Sequence, residues 1–190
     1  MKKILSLLLV VLMAIGVNAG NGNKTRGPYK VGDYYSDGTK EGIVFVVYDG
    51  GYHGKIVSVD ESREKWAVDS ASDNMIYATS KGEGMDNMRK IMKQPNWRNN
   101  YPAFAWCASL GEGWYLPAVD ELLLIYQNKS SINRRLNKRD YGEIADSGYW
   151  SSTEHVDFSS SAWIVFMDYG FTIIGNTKPN LYYVRAVSAF

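Results

Sequence analysis

Tyr149-Trp150-Ser151-Ser152-Thr153-Glu154 decides the fold class, because the chain changes character from this point onward. After residues 149–153, β-branched and aromatic runs recur at 162–167, 171–174 and 182–187, and the polar, glycine-containing pieces between them read as turns, Asp168-Tyr169-Gly170 among them. Immediately upstream the apolar period is helical. Val119, Leu122, Leu123 and Tyr126 share one face after Pro117, and a weaker continuation places Ile132 with Leu136. Before that, Tyr101-Pro102 starts a helix that buries Ala103, Phe104, Cys107 and Leu110 and ends at Gly111 and Gly113. Met85, Met88, Ile91 and Met92 predict a short amphipathic helix stopped by Pro95.

Nearer the N-terminus the period returns to that of strands. Residues 43–48 form an unbroken β-branched and aromatic run that looks buried on both faces, and Asp49-Gly50-Gly51 turns it back into residues 55–59 as a hairpin. The order is therefore strands, then two to three helices in the middle of the chain, then strands. Without repeated strand–helix alternation, this order predicts an α+β fold with mainly antiparallel strands.

The leading residues carry an export signal that gives the exit and not the final address. Lys2 and Lys3 precede an apolar stretch from Ile4 to Val17, and Val17-Asn18-Ala19 offers small side chains where a signal peptidase cuts, so residues 1–19 read as a cleavable signal peptide. The stretch spans ~21 Å at helical rise, short of a ~30 Å hydrocarbon core, which argues against a retained anchor. Gly20 stands where a lipoprotein needs cysteine. Residues 20–28 lack apolar periodicity and read as a flexible lead, followed by a single domain over 29–190. The expected destination is outside the cytoplasm: periplasm, cell surface or medium.

Cleavage removes Lys2 and Lys3, leaving 19 Lys and Arg against 20 Asp and Glu, a formal balance of −1. Neither nucleic acid nor an anionic membrane suits such a chain, and no membrane insertion is expected after cleavage. Cys107 is the one cysteine, so packing rather than an internal disulfide must hold the fold. Fourteen Tyr and six Trp supply the area for that packing.

Three pieces taken in order carry a family resemblance: Gly113-Trp114-Tyr115-Leu116-Pro117 with Asp120-Glu121-Leu122, then Tyr149-Trp150-Ser151-Ser152-Thr153-Glu154, then Ala162-Trp163 with Tyr182-Tyr183-Val184-Arg185-Ala186-Val187. Over roughly residues 100–190 the chain resembles the family typified by the C-terminal domain of the bacterial collagen-like adhesin Lcl. The resemblance implies a C-type-lectin-like fold in which the first and last strands meet and the segment between the late strands forms a variable, ligand-facing loop region. Trp114, Leu116, Trp150, Trp163 and Val184 read as core residues. Arg185, inside an apolar strand, needs a carboxylate partner, with Glu121 and Glu154 as the candidates. Ala118 stands where the family commonly has a hydroxyl residue as helix cap, and Asp120 is the candidate replacement.

The lectin superfamily's calcium tripeptides are missing. The nearest approach is Lys178-Pro179-Asn180, in which a lysine replaces a carboxylate and would repel the ion. Neither His53 and His155 nor Cys107 belongs to a metal-spaced cluster, so no metal and no other cofactor is expected. A lone cysteine on a buried helix face does not make the thiol pair of a sulfatase-modifying-type oxidase, and Ser151-Ser152-Thr153 lacks the glycines of a nucleophile elbow, its hydroxyls being better placed to bond backbone. The basic run from Arg134 to Arg139 reads first as a solvated face and second as a dock for an anionic partner.

Two segments between late strands are left unused by the core: residues 154–161 and 175–180, with Tyr182 following. They single out Glu154, His155, Asp157, Phe158, Asn176, Lys178, Asn180 and Tyr182 as candidate ligand-binding residues. The expected function is non-enzymatic recognition or adhesion, binding a glycan or extracellular protein. The rival readings are a structural or accessory subunit of a surface assembly and, less favoured, the oxidase.

Overall fold

The computed structural model describes residues 27–190, the side chains of 173–175 excepted. The expected signal peptide and most of the expected lead lie outside the described residues. Nine strands among the described residues form two sheets. The first has the order β1 (Tyr34–Ser36), β2 (Glu41–Tyr48), β3 (His53–Ser58), β9 (Val187–Ala189), all antiparallel. The second has the order β4 (Ser62–Lys65), β8 (Leu181–Val184), β5 (Gly148–Glu154), β6 (Ser161–Phe166), β7 (Thr172–Thr177), antiparallel except where β5 meets β8 at Tyr149 and Tyr183. Five helices lie between β4 and β5: α1 (Gly84–Ile91), α2 (Trp97–Asn100), α3 (Pro102–Ser109), α4 (Val119–Gln127) and α5 (Lys129–Asn137). No helix among the described residues is long and apolar enough to cross a membrane.

The mixed class, the antiparallel sheets and the hairpin agree with expectation, and three details correct it. There are five helices rather than two to three, because Asn128 separates α4 from α5 and the turn at Trp97 is helical in its own right. The last apolar run is two strands: β8 joins the second sheet, β9 joins β3 in the first, and Arg185-Ala186 crosses between them. Strand β2 is buried only through Phe45, since Val46 and Val47 are half-buried and Tyr48 is exposed.

Arg185 explains how the two sheets are joined. Its side chain is buried, its Nε lies 2.9 Å from the Glu61 carboxylate, and its remaining donors reach the carbonyls of Ser58, Val59, Gly142 and Glu143. It thus fastens the β3–β4 crossover to the β8–β9 crossover. The expected partners, Glu121 and Glu154, are engaged elsewhere. Glu121 accepts from Lys55 Nζ at 2.6 Å, the Tyr115 hydroxyl, Gly84 N–H and Ala118 N–H. The last of these satisfies the start of α4, assisted by Thr153 Oγ1, which accepts from Val119 N–H. Asp120 is exposed and does not cap.

Candidate functional site

Strand β5 is buried along its whole length, yet four of its seven residues are polar. Burial of such groups demands partners, and each has them. Ser151 and Thr153 donate to the carbonyls of Trp163 and Ser80, while Ser152 accepts from Asn87 Nδ2. The β5–β6 register slips between Trp150 and Glu154, so the far end of β5 bonds loops instead: Ser152 N–H to Pro117 O and Glu154 N–H to Ala78 O. Strand β5 is therefore the element from which the surface loops hang.

At its end Glu154 meets Lys178 at 2.6 Å, and both side chains are 0% exposed. The carboxylate also accepts the N–H groups of Ile76 and Ala78, and the ammonium donates to Asn74 O and lies 4.6 Å from the centre of the Trp66 ring. Burial pushes the Lys178 ammonium below its ordinary pKa, against the opposing pull of Glu154. The Lys178 backbone adds bonds to Ser160 O, Trp66 N–H and Ala67 N–H. One ion pair thus ties together the loop after β4, the β5–β6 loop and the β7–β8 turn.

Between the two N–H groups that Glu154 fixes stands Tyr77. Its φ is +61°, in the left-handed region that a bulky side chain avoids, and its side chain is 68% exposed. On the neighbouring loop His155 is buried, accepts the Asp157 N–H on Nδ1, and packs 4.8 Å from Phe158 and nearly parallel to Trp163 at 6.2 Å between ring centroids. Phe158 is 59% exposed, with Val156 and Asp157 exposed beside it, and Lys81 Nζ lies 4.8 Å from the Trp163 ring centroid. The segment of Tyr77 and the loop of Phe158 thus flank the same end of β5, where Ala78 O accepts the Glu154 N–H and Lys81 stands over Trp163.

Of the eight expected residues, His155, Asp157, Phe158 and Asn180 stand in loops, Asn176 and Tyr182 in β7 and β8, and Glu154 and Lys178 turn inward. Glu154 and Lys178 are a correction: each spends its charge on the other with no solvent contact, so they support the loops and do not reach a ligand. His155 backs Phe158, while Asp157 and Phe158 face out. Asn176 donates to the Tyr182 hydroxyl at 2.6 Å and accepts from Asn180, and the half-buried Tyr182 rests edge-on against Trp150. That polar trio is joined to the first loop through the Lys178–Ser160 bond. Trp163, expected in the core, is half-buried beneath Lys81. Tyr77 and Lys81 were not anticipated, since both stand in a segment without helix or strand that leaves no periodicity to read.

Elsewhere, Cys107 is fully buried and burial raises its thiol pKa well above the ordinary value. No group of three His, Cys, Asp or Glu among the described residues is placed to hold a metal ion. In the basic run, Arg135 ties α5 to Gly32 and Asp33, Arg139 lies over the Tyr34 ring, and Arg134, Lys138 and Arg139 are exposed.

The architecture defines an α+β domain that presents loops from a rigid, doubly braced strand. By sequence, the chain belongs to the Lcl C-terminal domain family, whose model matches residues 65–188 and so begins earlier than the resemblance read from residue 100. A solved fimbrial protein from Bacteroides ovatus ATCC 8483 shares the fold, with a TM-score of 0.59 and 20% identity over 72% of this chain. The match covers 36% of that protein's chain. A search of curated proteins gave no match.

Proposed function

We propose that this protein is an exported, non-enzymatic recognition module of the bacterial surface, and that it binds a glycan or an extracellular protein through the face made by Tyr77, Asp157 and Phe158, with Asn180 at its margin. The observation that carries this reading is Tyr77: a large aromatic side chain is held outward at a backbone cost of ~1–3 kcal/mol, and strain of this kind gathers at ligand contacts. Aromatic faces stack on sugar rings or fill apolar pockets, and Asp157 and Lys81 at the border supply directed polar contacts. Membership of the Lcl C-terminal domain family supports the surface role. The leader at residues 1–19 supplies the route out.

The test is binding of the purified protein to an array of glycans and matrix proteins, run with calcium and with chelator. Saturable binding indifferent to chelator is expected, and loss with chelator would overturn the metal-independent reading. A second reading, a subunit of a surface assembly, draws on the fold shared with a protein described as fimbrial. An assembly subunit binds nothing on the array and associates with its own kind.

A further inference from the structure

The basic run of α5 packs against the segment that leads into β1. Gly32, at φ +88°, lies so close to the helix that a Cβ there would meet Ser131 Cβ at 3.2 Å. The same segment is tied to β2, with Gly32 N–H donating to Val44 O at 2.8 Å and Val44 N–H to Asp33 O at 2.9 Å. Arg135 closes the contact from the helix side: its Nε donates to Gly32 O at 2.9 Å, and its guanidinium lies 3.3 Å from one Asp33 carboxylate oxygen. The other Asp33 oxygen accepts the Lys30 N–H. These bonds frame a cavity of about 160 Å³, lined by residues 31–33 on one side and by Ser131, Arg134, Arg135 and Lys138 on the other. Its positive charge exceeds what the fold uses. Asp33 and Arg135 neutralise each other, which leaves Arg134 and Lys138, both exposed and one helical turn apart, a spacing at which like charges repel. The dipole at the end of α5 favours cations in its last turn, but it does not require that they share a cavity. Arg134 reaches the Ser131 hydroxyl at 3.4 Å, and Lys138 has no partner among the described residues.

We propose that this cavity binds a phosphoryl group, carried by a phosphate monoester or as free phosphate. Charge and shape select it. Two uncompensated cations match a dianion, and a phosphate monoester carries about −2 at neutral pH, whereas a sulfate ester or a carboxylate carries a single charge. Arg134 offers a planar fork of donors to two oxygens, Lys138 a point charge to a third, and Ser131 a hydroxyl. The wall made by Gly32 and the clamped Arg135 is already in place, so little ordering is left to oppose binding. The cavity shares no residue with the face of Tyr77, Asp157 and Phe158, and the two sites stand or fall separately.

Calorimetric titration of the purified protein at physiological ionic strength, with glucose 6-phosphate, inorganic phosphate and glucose 6-sulfate as probes, tests this. Saturable binding of a phosphate probe is expected, with glucose 6-sulfate at least about tenfold weaker because the sugar is the same and only the charge differs. Tighter binding of glucose 6-phosphate than of inorganic phosphate identifies an ester as the ligand form, and the reverse order identifies the free ion; either supports the site. R134Q/K138Q should keep the circular dichroism of the wild-type protein, since both side chains are exposed, and should lose at least about tenfold in phosphate affinity. K93Q/R98Q, which removes the same charge from exposed positions outside the cavity, should bind as the wild-type protein does. The proposal is overturned by absence of phosphate binding, by equal binding of the sulfate ester, by unchanged affinity in R134Q/K138Q, or by an equal loss in K93Q/R98Q, which would show a response to net charge alone.

Discussion

Glu154 and Lys178 carry charge without solvent, an arrangement that costs several kcal/mol per ion unless each group is fully bonded. Their bonds to Ile76, Ala78 and Asn74 meet that condition, and removing one partner breaks it. Glu154→Gln should therefore lower unfolding free energy by about 3 kcal/mol in urea titration, whereas the paired change E154L/K178M should cost less because no charge is stranded. The pH dependence has a definite sign. Lys178 is depressed in the fold, so the unfolded chain binds more protons between the folded pKa and 10.5, and stability rises with pH across that window. E154Q removes the group that opposes the depression, and its stability should climb over a wider span toward alkaline pH. Tyr77 behaves in the opposite way. Tyr77→Gly relieves the left-handed strain at an entropic cost of about 1 kcal/mol, so thermal unfolding should stay level or shift upward while partner binding falls.

Among the elements, the β1–β2 turn gives the clearest acid response. Asp37 accepts the N–H groups of Lys40 and Thr39, and these bonds hold its carboxyl down to about 2. A depressed carboxylate contributes stability above its ordinary value of 3.8 and loses it as pH falls through about 2. The advantage of the wild-type protein over D37N in thermal unfolding should therefore shrink between pH 4 and pH 2. The elements also show what periodicity can convey. Helices α1, α3 and α4 were legible because Met88, Phe104 and Leu122 repeat at helical spacing on buried faces, and β5 was marked by its aromatic start. Strands β1 and β4 were not, since Tyr34-Tyr35-Ser36 is too short to alternate and β4 is polar throughout. The split of residues 182–187 was hidden because β8 and β9 are both apolar, and what divides them is a tertiary contact of Arg185. The late loops were legible as segments unused by the core, but the inward turn of Glu154 and Lys178 depends on a pairing across 24 residues that no local pattern reports.

At the scale of the molecule, Arg185 is the bolt between sheets. Arg185→Met leaves Glu61 without its guanidinium and strips donors from the carbonyls of Ser58, Val59 and Gly142, so it should cost about 3–5 kcal/mol in chemical denaturation. The loop face depends on that frame, because β5 hangs between β6 on one side and β8 on the other. The most direct measurement is the affinity of the Tyr77→Ala/Phe158→Ala protein for whichever array ligand the wild-type protein binds, with unfolding free energy measured on the same samples. The account predicts at least a tenfold loss of affinity with stability within about 1 kcal/mol of wild type, since both side chains are mostly exposed. Unchanged affinity in a folded double variant would contradict it, and would place recognition on another face of the domain.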